Sequence, residues 1–118
     1  MLKQFYERTV ADVTGASEIY ADDAVLEFPQ GGERIRGRAN ITAFRAAYPA
    51  RVEIDVRRTM GRADLWVNEG VIRYDGQRAT HFVAVMEFRG PRVARETIYF
   101  GEPWTPPAWR AGWVEPIE

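Results

Sequence analysis

Three polar residues in the second half of the chain are of types that do chemistry: His81, Asn68 and Glu96. Imidazole exchanges protons near neutral pH, and His81 is the only histidine. A carboxyl group such as that of Glu96 acts as an acid or a base, and an amide such as that of Asn68 orients or polarises a ligand oxygen. Together these types predict acid–base catalysis on a small molecule.

Each of the three residues also has a structural interpretation. His81 is either a pocket acid/base or a hydrogen-bonded structural histidine. Glu96 is either a pocket carboxylate or half of an ion pair with one of the many arginines, because an unpaired buried charge is costly. Asn68 either orients a ligand or His81, or hydrogen-bonds to the backbone.

Two turn signals indicate the elements that must position these residues. Asp75-Gly76 is a strong two-residue hairpin signal, and Gly90-Pro91 is a weaker one. Apolar and polar residues alternate from Val52 onward, which is the period of a half-buried strand. After this first strand, the pattern predicts three more antiparallel strands, at residues 63–74, 77–89 and 92–102.

Tight turns at both positions fix which residues lie opposite each other. The first turn sets Asn68 opposite Val83, and the second sets Val85 opposite Glu96. Opposed residues, and residues two apart, point to the same side of a sheet. His81, Asn68 and Glu96 are therefore predicted to share one face, with His81 and Glu96 roughly 13 Å apart along the strands.

The same face is otherwise apolar, as the wall of a ligand pocket should be. Three further residues from the first half of the chain, Phe28, Phe44 and Tyr48, are expected beside it. The predicted ligand-binding residues are Phe28, Phe44, Tyr48, Trp66, Ile72, Val85, Ile98 and Phe100.

The opposite face of the predicted sheet is also too apolar to remain in water. A sheet with two buried faces needs two covers, and the helices of this chain can supply only one. We therefore expect a homodimer through the outer sheet face, packed on the side that carries Phe82, Met86, Phe88 and Tyr99.

The first half of the chain predicts three helices and a short hairpin. Apolar spacing indicates helices at residues 3–13 and about 16–22, and a third between Gly37 and Pro49. Val25 to Phe28 forms a strand that Pro29 ends. Helices followed by a long antiparallel sheet predict an α+β fold, with the helices packed on one face of a curved sheet.

Composition limits the possible functions. The chain has 118 residues, a formal net charge of −1 and no cysteine, so we expect one domain over residues 1–118, with a Pro/Trp-rich tail at 103–118. No nucleic-acid or membrane partner is expected, and no metal site or cofactor. Without an apolar leader or spanning segment, the expected location is the cytoplasm.

The pattern resembles the SnoaL-like branch of the nuclear transport factor 2-like superfamily. The residues that carry the resemblance are Tyr20-Ala21-Asp22-Asp23-Ala24-Val25, Glu27-Phe28-Pro29, Gly37-Arg38-Ala39-Asn40-Ile41 with Phe44, and Tyr99-Phe100-Gly101-Glu102-Pro103. It implies a cone-shaped roll, in which three N-terminal helices pack on a strongly curved, mostly antiparallel sheet. It also implies a pocket at the wide end and, often, a dimer. Members include ketosteroid isomerases, polyketide cyclases, epoxide hydrolases and binding modules.

The ketosteroid isomerase mechanism does not carry over to this chain. The resemblance places that enzyme's general base on Phe28 and its oxyanion-donor acid on Val85. Neither side chain can exchange a proton.

Two hypotheses follow. The first is a small hydrophobic-molecule pocket protein, an isomerase, cyclase or hydrolase with His81 as acid/base. The second is a non-catalytic ligand-binding or dimeric interaction module. Trp104, Trp109 and Trp113 in the tail either pack on the protein or its dimer partner, or close the pocket.

Overall fold

The fold is a single curved sheet with helices on its inner side, and the computed structural model describes Phe5 and residues 12–117. Its strands are β1 (Tyr20–Phe28), β2 (Glu33–Arg36), β3 (Val52–Arg62), β4 (Leu65–Tyr74), β5 (Thr80–Arg89) and β6 (Arg92–Gly101). The strand order is β2-β1-β6-β5-β4-β3. Only the β1–β6 pair is parallel, so the sheet is mixed but mostly antiparallel.

Two α-helices lie within the described residues, which does not match the three N-terminal helices expected. They are α1 (Val13–Ala16) and α2 (Arg38–Ala46). Short 3₁₀ turns cover Ser17–Ile19, Pro29–Gly31 and Ala108–Arg110. The helix predicted at 3–13 lies almost entirely outside the described residues, of which Phe5 is helical.

The helix predicted at about 16–22 is wrong because β1 already begins at Tyr20. Tyr20, Ala21 and Ala24 are all buried, a spacing that imitates a helical stripe. The spacing arises instead from an irregularity in β1, since the pairing with β6 shifts register between Tyr20 and Val25. A bulge of this kind breaks the alternation by which a strand is recognised.

Helix α2 is held against β1 by its first residues. Gly37 is the N-cap with a φ of 89°, a conformation that favours glycine, and its N–H donates to the carbonyl of Ala24 at 2.7 Å. Ile41 is fully buried. Arg45 is four residues later, so it lies on the same inward side of the helix.

The turn between β4 and β5 forms as predicted. Asp75 and Gly76 have φ angles of 54° and 69°, which is typical of a two-residue hairpin turn. The N–H of Gln77 donates to the carbonyl of Tyr74 at 3.0 Å.

The pairing beyond this turn differs from the prediction by one residue. Asn68 lies opposite Ala84, and Ile72 lies opposite Thr80. An uninterrupted two-residue hairpin would pair Ile72 with residue 79, so one additional residue lies between the turn and β5. A one-residue slip turns every side chain of β5 to the other face.

A second slip follows between β5 and β6. Arg89 pairs with Arg92 as expected, but a bulge shifts the register between Glu87 and Phe88. Glu96 therefore lies opposite Met86 and not Val85. The two one-residue shifts cancel between β4 and β6, so the side chains of these two strands face as predicted. Only the side chains of β5 point to the opposite face.

The inverted strand corrects both predicted faces. Asn68 and Glu96 do share the inner face, but His81 and Val85 lie on the outer face. The predicted dimer surface is also wrong in composition. Phe82 and Met86 are buried in the core and Phe88 packs against it, so only Tyr99 of that set lies on the outer face.

The described part of the chain contains no helix long and apolar enough to span a membrane.

Gly70 on the inner face of β4 provides a test of this packing. An added Cβ would overlap the carbonyl of Asp55 and approach the Phe82 ring at 3.0 Å. We expect Gly70→Ala to lower the free energy of unfolding by about 1–3 kcal/mol, the usual cost of overpacking. Urea unfolding measures this. Gly101→Ala is the matched control, because its Cβ would meet open space, and an equal loss in both variants would contradict the packing described.

Candidate functional site

A large open cavity lies between α2 and the inner face of the sheet, with a volume of about 1420 Å³. Its walls combine residues of α2, the turn after β1, and β3 to β6. The apolar lining includes Phe28, Ile35, Phe44, Tyr48, Val52, Ile54, Ile72, Tyr74, Phe82, Ile98 and Phe100. The wide end of the curved sheet thus encloses a mostly aromatic and aliphatic space.

Aromatic rings along one side of the cavity form a continuous row. Phe28 contacts Phe44 and Phe100, with ring centroids 5.8 and 6.0 Å apart. Phe44 meets Tyr48 edge-on at 6.0 Å, and Tyr48 stacks on Tyr74 at 5.4 Å. These contacts join α2 to β1, β4 and β6, and ring pairs at such distances stabilise beyond their buried area.

Arg45 lies on the inward side of α2 and, among the described residues, is one of six charged ones that line this mostly apolar cavity, with Glu33, Arg34, Arg51, Arg78 and Glu102. The Arg45 side chain is only 13% exposed, and it lies beside the fully buried Glu96. Nη2 donates to Oε1 of Glu96 at 3.3 Å, and Nη1 donates to the hydroxyl of Tyr20 at 2.6 Å. Tyr20 in turn donates to Oε1 of Glu96.

These three residues, which we call the buried triad (Tyr20, Arg45 and Glu96), join β1, α2 and β6. The guanidinium also lies over the ring of Phe5 at 5.9 Å and over that of Tyr20 at 5.4 Å. A carboxylate taken out of water needs both an opposite charge and hydrogen-bond donors, and the triad provides both.

Burial raises the pKa of the Tyr20 phenol far above its ordinary value, and the nearby Glu96 carboxylate adds to that rise while Arg45 opposes it. The phenol therefore keeps its proton throughout the physiological range and acts as a donor. Burial likewise raises the pKa of Tyr74, assisted by Tyr48. Neither phenol is poised to serve as a base.

His81 is not part of this site. It is exposed on the outer face of β5, opposite Val71 on one side and Gly101 on the other. The shared face predicted for His81 and Glu96 is therefore wrong, because the extra residue before β5 inverts that strand.

Asn68 is fully buried on the inner face but does not line the cavity. Its Oδ1 accepts a hydrogen bond from the Thr59 hydroxyl at 2.9 Å. Its Nδ2 has no hydrogen-bond partner among the residues that the structure describes. Its observed contact is thus with an adjacent strand.

The predicted pocket wall agrees in part with the structure. Six of its residues line the cavity: Phe28, Phe44, Tyr48, Ile72, Ile98 and Phe100. Val85 does not, because it lies on the inverted face of β5. Trp66 does not either, since it packs against the core and its indole donates to the carbonyl of Ala63.

Sequence reasoning overlooked Arg45 and Tyr20. A signal for Arg45 was present, because it follows the apolar residue Ile41 at i+4 on α2 and so lies on the inward stripe. An arginine on that side of the helix needs an acidic partner, and pairing with an arginine was one of the two interpretations of Glu96. The structure confirms that structural interpretation of Glu96.

The described residues contain no group of three or more His, Cys, Asp or Glu side chains arranged to hold a metal ion.

Comparison with known families decides the chain's membership. The model of the SnoaL-like domain matches residues 2–96. The chain belongs to this family. A search of curated proteins finds no match.

Solved structures agree on the fold of this SnoaL-like chain. An NTF-2 like protein of unknown function from Burkholderia xenovorans is 40% identical, with a TM-score of 0.87 over 99% of this chain and 92% of its own. A protein from Kribbella flavida, proposed to be a ketosteroid isomerase, is 24% identical, with a TM-score of 0.83 over 98% and 89%. A proposed polyketide cyclase from Sinorhizobium meliloti is 20% identical, with a TM-score of 0.69 over 81% and 89%. The last two show the shared fold alone.

The buried triad makes a stability prediction. Arg45→Met leaves the Glu96 carboxylate buried without its guanidinium, so we expect a loss of about 3–5 kcal/mol in the free energy of unfolding. Tyr20→Phe removes one hydrogen bond to a charged group, and about 1.5–3 kcal/mol should be lost. Denaturant unfolding at neutral pH measures both.

Arg57→Met is the control for arginine loss, because Arg57 pairs with Asp55 on the exposed surface. Its effect should stay within about 1 kcal/mol. If Arg45→Met were as mild as this control, the triad would not be holding α2 on the sheet.

Proposed function

We propose that this SnoaL-like chain binds a small hydrophobic molecule in the cavity between α2 and the sheet. The observation that carries the proposal is a largely apolar, aromatic-walled space of about 1420 Å³, whose wall Arg45 reaches from a buried ion pair. Pockets for drug-sized ligands are commonly about 300–1,000 Å³, so this open cavity has room for one.

The polar groups indicate how such a ligand would be oriented. Arg45 carries its positive charge to the cavity wall, while Glu96 behind it balances that charge. A ligand with an acceptor oxygen, such as a carbonyl or hydroxyl, can approach the guanidinium without either group being left unpaired. The apolar body would lie along the row of rings from Phe28 to Tyr74.

A second candidate is acid–base chemistry on that ligand, as an isomerase, cyclase or hydrolase. The buried triad favours it, because Tyr20 and Glu96 hold the Arg45 guanidinium at the cavity wall, where it can stabilise negative charge developing on a ligand oxygen. Glu96 is fully buried behind Arg45, so in this proposal it positions Arg45 and does not abstract a proton. Without turnover, the same cavity serves a non-catalytic binding module.

Ligand binding can be tested with a thermal-shift panel of steroids, aromatic polyketides and aromatic acids. A ligand present at 100 times its Kd should stabilise the folded protein by about 2.7 kcal/mol. Ile54→Trp fills the cavity from β3, and we expect it to reduce affinity for any hit at least about tenfold, which is about 1.4 kcal/mol.

Two controls keep this test specific. Val25→Trp makes the same enlargement at a half-buried strand position outside the cavity, and His81→Ala removes the exposed imidazole from the outer face. Both should bind as the unmodified chain does. Loss of binding in either control, or a panel without any hit, would count against the cavity as the ligand site.

We also propose that the chain forms a homodimer through the outer face of the sheet. Met60, Val67, Val85 and Thr97 lie side by side across β3 to β6 in register. Val83 and Tyr99 form the adjacent row, and we call these six residues the outer strip. Met60 and Tyr99 are 50% and 47% exposed, a surface that favours a protein contact.

The charges around the outer strip favour a second copy as the partner. Arg58 pairs with Glu69 at 2.9 Å, and Arg95 lies 3.4 Å from Glu27. Both signs are therefore present on the same face. A two-fold axis sets each surface against itself, and opposite charges at the rim can then pair between the copies.

Sedimentation equilibrium tests the dimer. Val85→Glu places a carboxylate in the middle of the outer strip, and we expect it to weaken the dimer by roughly 100-fold, since burying an unpaired charge costs about 3 kcal/mol or more. Ala43→Glu adds the same charge on the exposed side of α2 and should leave the dimer intact. An unmodified chain that is monomeric at micromolar concentration would contradict the proposal.

A further inference from the structure

The C-terminal tail is the most exposed apolar segment of the described chain. Trp104, Trp109 and Trp113 are 71%, 75% and 83% exposed, and Ile117 is fully exposed. These are three of the four tryptophans in the protein. Tryptophan is enriched at the centres of protein interfaces, and clusters of exposed aromatic residues mark interaction sites.

The tail nevertheless has a defined local conformation. A 3₁₀ turn spans Ala108–Arg110, and the N–H of Trp113 donates to the carbonyl of Arg110 at 3.0 Å. The guanidinium of Arg110 lies over the Trp109 ring at 6.0 Å. The indoles of the tail thus lie on a segment with a defined backbone conformation, and the rest of the chain leaves them exposed.

The molecule is more extended than a compact chain of its length. The radius of gyration is 15.7 Å and the longest axis is 51 Å. A compact chain of this length has a radius of gyration of about 13.5 Å.

We infer that the tail is an exchanged arm, which packs on the outer strip of a second copy while the tail of that copy packs on the first. This inference rests on the proposed dimer and adds the residues that hold it together. It assigns the exposed indoles of Trp109 and Trp113 to the contact.

The position of the tail supports a second copy as its partner. The tail leaves the sheet at Gly101, two residues after Tyr99 of the outer strip, so it begins beside the proposed interface. Each chain carries two uncovered apolar surfaces, the strip and the tail. A two-fold pair covers both surfaces on both chains at once, because each tail meets the partner's strip.

The area is sufficient for a stable pair. Trp109 and Trp113 bury roughly 150 Å² or more each, which gives about 300 Å² per tail and about 600 Å² for two tails. The strips that they cover lose a comparable area, so the total is about 1,200 Å² or more. Stable interfaces bury about 1,200–2,000 Å².

The cavity of the same chain is a less suitable binding site for the tail than the outer strip of a second copy. Glu102 and Pro103 line the opening of that cavity, but Trp104 directly after them is 71% exposed. Trp104, Trp109 and Trp113 do not line the cavity.

A complementation experiment tests the exchange. One chain carries Val85→Glu, with a damaged strip and an intact tail, and the other carries Trp109→Ser with Trp113→Ser, with an intact strip and a damaged tail. Each alone should dimerise at least tenfold more weakly than the unmodified chain. Their mixture restores one intact tail-on-strip contact, so native mass spectrometry should detect the heterodimer in excess of both homodimers.

Glu115→Gln is the control for the tail, because it changes an exposed polar residue of the same segment and should dimerise normally. The circular dichroism spectrum of each variant below its melting temperature should match that of the unmodified chain, since neither change touches the core, whereas weaker dimerisation by itself lowers the melting temperature.

The possible outcomes distinguish a failure of the exchanged arm from a failure of the dimer. If the tail variant dimerises as well as the unmodified chain while Val85→Glu is monomeric, the dimer stands and the arm is overturned. If both variants are weak but the mixture forms no heterodimer, the tail does not act between chains and the arm is again overturned. If the unmodified chain is monomeric, the dimer and the arm fall together.

Discussion

The ion pair between Arg45 and Glu96, bridged by the hydroxyl of Tyr20, is the interaction on which the architecture depends. Each member comes from a different element, so the three together fix α2 against β1 and β6. Glu96 is fully buried, and a carboxylate there is tolerable only while its partners remain in place. The arrangement therefore specifies the position of α2 more strictly than apolar packing alone would.

The cavity is a consequence of that fixed helix. Phe44, next to Arg45 in α2, meets Phe28, and Tyr48, two residues after the helix ends, stacks on Tyr74. The rings keep the helix and the curved sheet apart at the wide end, while the ion pair holds them together farther in. A space for a ligand remains between these two contacts.

The sequence predicted the number of strands and their order along the chain, because turn residues and alternation are local signals. Asp75-Gly76 formed the expected turn, and Gly37 caps α2. The face of the sheet to which each β5 side chain points was not predictable from such local signals. One additional residue after a correct turn reverses a whole strand, and no residue type between 77 and 79 reveals it. His81 and Val85 were therefore assigned to the wrong face, although Asn68 and Glu96 were assigned correctly.

The compensating irregularities on either side of β5 also determine which changes in length this chain can accept. Deleting one residue between Gln77 and Thr80 would leave Ile72 opposite Thr80 in an uninterrupted two-residue hairpin. Deleting Ala94, which the bulge leaves unpaired, would likewise keep Glu87 opposite Arg95 and Phe88 opposite Val93. A deletion inside the regularly paired part of β5 would instead turn the side chains on one side of the deletion to the other face, so changes in length are confined to the ends of the strand.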